Sequence, residues 1–441
     1  MIKTIKKIEF NDDFIRHGIW MFFAASVGSL LNLVYQLYMV RHLAPVDYGV
    51  LNSLVGLLLI ISVPAGTLQT AITKFVSTFY AHRQWKKIKI FLLKLAKVVF
   101  FFGLAFFFII VLGSGYIASF LQIPSFLPVI IIGLLLFLSV ILPLSLGGLQ
   151  GLQMFRWFGL SMITSGGLKV AMGILLVSLG FRVMGALSAY IAASVTMFFL
   201  SFGPLKSFIS GKCKLSDVSF GTAPSGTYSE EINFGEIYKY FLPVAVTFLC
   251  FMALVNGDVI LVKHFFSPLE AGYFSIAQMA GKIILFLPGA ITVVMFPKAS
   301  HLHAQGKNTR PILKKSLVIA GVLCGGAALI CIIFPSLVIK ILSGKEYMES
   351  ISLVRLFAIS MTFFALLYTL LFYQLSIHRL NFIYPLISLT LLQLILIILF
   401  HRSLAQVLYI LCGNSILLFM VTLWKAIRPK NKFFEGKVGK S

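Results

Sequence analysis

Three ionisable side chains stand inside long apolar stretches of this sequence: Lys169, Asp258 and Lys282. In a membrane segment such groups are expensive, and by default they mark a pathway or a partner. Lys169 lies about eleven residues into its apolar run and Lys282 about ten into its own, which at about 1.5 Å per residue places both about 15 Å deep. Two cations at mid-depth suit an anion such as a pyrophosphate, because an ammonium is a point charge that can hold and release without a fixed geometry. Local pairing, or snorkelling past a misplaced helix edge, is the competing account of each. Ser275, Gln278 and Lys282 are spaced i, i+3, i+7 and share one helix face, and Ser29, Asn32 and Gln36 repeat that spacing. A polar stripe on a helix in lipid must face protein or water. It lines a cavity or makes interhelical hydrogen bonds. The candidate binding set is therefore Lys169, Lys282, Gln278, Ser275, Asn32 and Gln36. Asp258 is the one acid in any of these runs, four residues from the end of its own and shallower than Lys282. It can take up H⁺ or Na⁺ in one state and release it in another, or it can pair with Lys282 or Lys263.

The elements that carry these residues follow from composition. Hydrophobic residues make up 59% of the 441 and charged residues 11%, against about a quarter charged in soluble domains. Runs of roughly 20 apolar residues, long enough to cross a bilayer, recur from end to end. Alternating ten-residue segments of a β-barrel do not. The expectation is an all-α polytopic membrane protein. Its twelve spans are read at 17–40, 49–72, 91–120, 127–149, 158–180, 184–204, 240–262, 272–296, 314–341, 353–374, 382–400 and 405–424. No cleavable signal peptide is evident.

Lysine and arginine set the orientation. They crowd the N-terminus, 73–97, 205–239, 297–315 and the tail, while the opposite side holds only Arg41, Arg182, Lys263, Lys340, Lys345 and Arg402. Both termini are read as cytoplasmic. The formal charge of +24 is then a topology signal with some attraction to anionic lipid, and nucleic-acid binding is not expected. Segment 73–97 mixes bases with Phe, Tyr and Trp and reads as interfacial. Five cysteines show no metal-ligand spacing and set no disulfide framework. No metal, no cofactor and no P-loop are read, and no enzyme is expected.

A repeat organises the chain. VRHLAPVDYG from Val40 returns as VKHFFSPLEAG from Val262, with Pro45 meeting Pro268, Asp47 meeting Glu270 and Gly49 meeting Gly272. Further on, Pro64-Ala65-Gly66 meets Pro288-Gly289-Ala290. Six spans per copy make this a parallel repeat. The expected domains are an N-terminal six-helix lobe at 1–204, a cytoplasmic linker at 205–239, a C-terminal six-helix lobe at 240–424 and a basic tail at 425–441. Arg41, Lys263, Asp47 and Glu270 border the outer side and are candidates for an outer gate, with solvated interface charges as the plainer reading.

The stretches YQLYMVRHLAPVDYG from Tyr35, DVILVKHFFSPLEAGYF from Asp258, GKIILFLP from Gly281 and SGKEY at 343–347 resemble the polysaccharide transporters of the multidrug/oligosaccharidyl-lipid/polysaccharide exporter superfamily. The resemblance implies two parallel lobes around a central cavity. It implies a flippase that moves isoprenoid-pyrophosphate-linked oligosaccharide from the inner to the outer leaflet of a bacterial cytoplasmic membrane by alternating access. Its partners would be that lipid carrier, membrane lipids and, for coupling, H⁺ or Na⁺. A cation-coupled multidrug exporter of the same superfamily is the second reading. A membrane-embedded glycan polymerase or ligase is the third, against which stand short outer loops and the lack of a catalytic constellation.

Overall fold

The computed structural model describes residues 12–209 and 234–427. Most of the linker, the first eleven residues and the tail beyond Ile427 lie outside the described residues, including Lys3, Lys6, Lys7, Lys212 and Lys214.

Among the described residues the chain is helical throughout. The first half runs α1 (Asp12–His42), α2 (Pro45–Ile61), α3 (Val63–Ala81), α4 (Trp85–Leu112), α5 (Ser114–Phe120), α6 (Leu127–Gly151), α7 (Phe155–Ser178) and α8 (Arg182–Ile209). The second runs α9 (Phe234–Phe265), α10 (Pro268–Phe286), α11 (Gly289–Ala304), α12 (Arg310–Ile333), α13 (Pro335–Ser343), α14 (Met348–Ser376), α15 (Ile383–Leu399) and α16 (Leu404–Ile427). Ten helices or fused pairs are long and apolar enough to cross a membrane. Among the described residues the bent pair α2–α3 brings the number to eleven, and α15 is a shorter apolar helix. The protein is a multi-pass membrane protein. Its outward surface explains why: Phe101, Leu112, Val293 and Val322 are each at least two-thirds exposed, a surface that aggregates in water and is at home in acyl chains.

Helix ends differ from the sequence reading in two places that matter. α8 continues to Ile209 and α9 begins at Phe234, so both helices run into the segment read as linker. α2 begins at Pro45, four residues before the expected span, because proline suits the first helical turn, where its missing N–H has no partner to lose.

The two copies of the repeat break alike. α2 gives way to α3 at Ser62, with Pro64 in the first turn of α3 and a bend of 41°. α10 gives way to α11 at the repeat-related Leu287-Pro288. Proline cannot donate to the preceding turn, so a continuous helix loses its ladder there.

The chain divides into two compact units. The first holds the helices before α9, the start of α9 through Ala245, and Phe266–Gly272; the second holds Val246–Phe265 and the chain from Tyr273. Within the first unit the repeat-related glycines meet. A Cβ on Gly49 would stand 3.0 Å from the Gly272 nitrogen, and a Cβ on Gly272 would run into the Pro45 carbonyl. Any side chain there would force two backbones apart.

Candidate functional site

In the first unit, the site grows from the packing of α1 against α7. Gly159, Gly166 and Gly173 recur every seven residues along one face of α7. A Cβ on each would press on Trp20 and Ala24, on Leu31, and on Tyr35 and Met39 of α1. Small residues let two membrane helices approach closely enough for dispersion and hydrogen bonding to hold them. The approach delivers Lys169, one turn before Gly173, onto α1.

There the Lys169 ammonium donates to Asn32 Oδ1 at 2.6 Å. It also stands 5.0 Å from the centre of the Tyr35 ring and 4.8 Å from that of Tyr190 on α8, within cation–π range. The two rings meet edge to face at 5.2 Å. The Tyr35 hydroxyl donates to the Ala186 carbonyl at 2.8 Å, and the Gln36 amide donates to the Tyr190 hydroxyl at 3.4 Å. Three helices thus fix one cradle. Its partners for the cation are an amide oxygen and two aromatic faces. From Tyr48 to the end of α8 the sequence contains no Asp or Glu, so no carboxylate from α3 to α8 neutralises Lys169. Ser29, the third member of the α1 stripe, is exposed.

Gly173→Val is expected to disturb this cradle from outside the charge itself. The added methyls would press on Tyr35 and Met39, an overpacking that costs about 1–3 kcal/mol. A lowered melting temperature of the purified protein together with reduced transport is the expected result. An unchanged melting temperature would show that α1 and α7 are not held this closely.

In the second unit the arrangement is different. Asp258 on α9 is fully buried. The Gln278 amide of α10 donates to both its oxygens, at 2.9 and 3.0 Å, and to the Val255 carbonyl at 3.2 Å. One turn along α10, the Lys282 ammonium donates to Asn256 Oδ1 at 3.1 Å, and Lys282 and Asp258 attract one another electrostatically. The i, i+4 spacing of Gln278 and Lys282 therefore stitches α10 to Asp258 and Asn256 of α9. Ser275, also on this face, is buried with its hydroxyl unpartnered. Beyond α9 the polar chain continues: the Gln393 amide of α15 donates to the Leu254 carbonyl, and Asn414 of α16 donates to Gln393. Buried amides joined in this way hold helices in one register.

The four gate candidates are not equivalent. The Glu270 carboxylate accepts from the Ser267 amide and hydroxyl at 3.1 and 2.7 Å, and Ser267 accepts in turn from the Glu270 amide. That is a capping box at the start of α10. Asp47 occupies the matching place in the first turn of α2, behind an N-cap Ala44 that offers no side chain. Acids suit both positions through the helix dipole. Arg41 is exposed. Lys263, read as an interface charge, is instead fully buried with its ammonium unpartnered. Among the described residues no cluster of His, Cys, Asp or Glu could hold a metal ion.

Sequence reasoning missed Tyr35, Tyr190 and Asn256 as partners of the lysines. Tyr35 and Asn256 were within sight, since each lies close to a residue already singled out. Tyr190 comes from a helix that only the fold brings near.

The pattern that describes the family "Polysaccharide biosynthesis protein" matches residues 38–352, which spans both lysines, Asp258 and both copies of the repeat. The chain belongs to the polysaccharide biosynthesis protein family. Its fold is that of the MOP superfamily. An inward-facing multidrug resistance MATE family transporter superposes with a TM-score of 0.68 at 14% identity, covering 90% of this chain and 94% of its own. The lipid II flippase MurJ, in an inward closed conformation, gives 0.61 at 14% identity, over 93% and 86%. A MOP superfamily transporter from Pyrococcus furiosus, described by a reversed polarity of its binding pocket, gives 0.59 at 16% identity, over 93% and 94%. No curated protein matches the chain. Within this family fold the lysines sit on α7 and α10, so they are not repeat-related positions, whereas Gln36 and Asp258 are.

Proposed function

We propose that this protein is a flippase for isoprenoid-pyrophosphate-linked oligosaccharide, carrying the head group from the inner to the outer leaflet by alternating access of two six-helix lobes joined through 205–239. The observation that carries the proposal is the Lys169 cradle, a membrane-embedded cation held by an amide and two tyrosine faces. Those partners leave its charge available to a diphosphate. Lys282 of the second unit is the proposed second cation for the head group, and Gln278, Ser275, Asn32 and Gln36 complete the proposed binding set. The family supports a saccharide substrate, and the likeness to a lipid II flippase fits a lipid-linked one. A bacterial cytoplasmic membrane with both termini inside fits the lysine and arginine distribution.

A multidrug exporter reading is weaker, because a cationic drug would meet two lysines and a single carboxylate already covered by Gln278. A deletion strain of the native host is the direct test. Lipid-linked oligosaccharide is expected to accumulate in the cytoplasmic leaflet and to clear when the wild-type gene returns. No accumulation, with raised sensitivity to cationic drugs, would move the assignment to the exporter.

Asp258 is the proposed coupling residue for H⁺ or Na⁺. Asp258→Asn keeps an acceptor and a similar shape, so a partial loss of transport is expected, together with loss of the wild-type response to pH and Na⁺. A variant that keeps that response removes the coupling role. Of the four gate candidates, the exposed Arg41 is the stronger one for contact with the departing head group, and the buried Lys263 would meet it only in a state that uncovers its ammonium. The Glu270 carboxylate is occupied by its cap, and Asp47 holds the matching helix position.

A further inference from the structure

α4 carries a feature that transport of the head group does not use. Lys86, Lys87, Lys94 and Lys97 are all exposed. None of the four makes a hydrogen bond or ion pair with the described residues. At about 100° per residue they share one face about a quarter-turn wide. The buried residues of the same helix, Ile88, Leu92, Val99, Gly103 and Ile110, fall about half a turn away, and Ile88 and Leu92 pack in a core with Ile72, Val76, Leu144 and Leu205. The lysines therefore point away from the body of the unit.

What continues that face decides what it meets. Above the lysines it presents Phe101 and Phe108, 67% and 53% exposed, and Leu112, 86% exposed. A cationic foot below an exposed apolar column matches a molecule with an anionic head and hydrocarbon tails. A soluble phosphate would use only the foot, and an acidic peptide would leave the column in water. Helix length agrees. The 28 residues of α4 span about 42 Å, longer than the roughly 30 Å hydrocarbon core, so the first turns stand at the head-group level. Local electrostatics agree as well. Two lysines in the first turn of a helix oppose its dipole, and Gln84 gives that end no side-chain cap. An anion at this place relieves both.

We infer that this face of α4 is a binding site for anionic phospholipid of the inner leaflet, with the phosphate on Lys86, Lys87, Lys94 and Lys97 and the acyl chains along Phe101 and Phe108. The assignment does not depend on the transported substrate.

The test uses the purified full-length protein in detergent, with bound lipid counted by native mass spectrometry after addition of phosphatidylglycerol or phosphatidylcholine. Wild type is expected to retain about tenfold more phosphatidylglycerol than phosphatidylcholine, given the strength of single lysine–lipid attractions. Lys86→Gln, Lys87→Gln, Lys94→Gln and Lys97→Gln together are expected to bring that ratio to within about twofold of unity, while arginine at the same four positions keeps it. If the fourfold glutamine variant fails to fold, Lys94→Gln with Lys97→Gln is expected to lower the ratio by at least about threefold. A matched variant with glutamine at Lys298, Lys307, Lys314 and Lys315 is expected to keep the wild-type ratio. An unchanged ratio in the α4 variants overturns the site, as does an equal loss in the matched variant, which would mean diffuse charge. Displacement of the phosphatidylglycerol by an equal concentration of inorganic pyrophosphate would also overturn it, by showing an anion site indifferent to the lipid.

Discussion

Lys282→Ala is expected to abolish export and to lower the melting temperature of the purified protein, whereas Lys282→Ala combined with Asp258→Asn is expected to recover the melting temperature and not the export. The reason is the partner left behind. Asp258 is fully buried, and the Gln278 amide and the Lys282 charge are what compensate its burial. Removing the nearby cation leaves the buried carboxylate less compensated, at a cost of up to about the 3–5 kcal/mol of breaking a full buried ion pair. Replacing the carboxylate by an amide removes that charge and keeps an acceptor for Gln278, so the fold returns. Export is expected not to return, because the double variant also lacks the ammonium proposed to meet the head group. Export by the double variant at the level of Asp258→Asn alone would reduce Lys282 to a counter-ion of Asp258 and take it out of the binding set. The comparison thus separates a structural lysine from a transporting one, which the single variant cannot do.

The same contrast shows what could be read from residues alone. The long apolar spans are local properties, written in apolar run length, whereas the breaks at Pro64 and Pro288 fall inside 49–72 and 272–296, which were read as unbroken. Lys169 and Lys282 were visible for the same reason, since a charge inside an apolar run needs no fold to look out of place. Their surroundings were not. The cradle of Lys169 depends on a glycine every seventh residue of α7, and in a sequence with 35 glycines that spacing attracts no notice. Tyr190 enters through α8, over 150 residues from Tyr35 along the chain. Tyrosine in a membrane helix is common enough at the interface to carry no signal of its own. The burial of Lys263 was hidden too, because nothing in its neighbours along the chain says which side of α9 turns inward. The capping box of Ser267 and Glu270, by contrast, is a pattern in four consecutive residues and could have been read before any thought of a gate.

Lys169→Ala is expected to reduce export by about ten- to a hundredfold while leaving the melting temperature close to that of the wild type. Loss of one charge-assisted contact to a phosphate is worth about 1.5–3 kcal/mol, and each 1.4 kcal/mol is about tenfold. Stability is a separate matter here, because Lys169 leaves no charged partner behind. Its hydrogen-bond acceptor is the amide of Asn32, which is exposed, and its other neighbours are the faces of Tyr35 and Tyr190. Those rings stay in place through the Ala186 carbonyl and Gln36. Lys169→Arg is the sharper variant. Arginine keeps the charge and stacks on aromatic faces, but its planar fork is larger and is held rather than released. It is expected to bind pyrophosphate at least as well as the wild type and to export more slowly. Full export from Lys169→Ala would mean that the cradle is packing between α1, α7 and α8 and that the head group is carried by the other unit alone. A fall in melting temperature as large as that of Lys282→Ala would mean that the cradle holds a charge balance of its own, against the absence of any acid from Tyr48 to the end of α8.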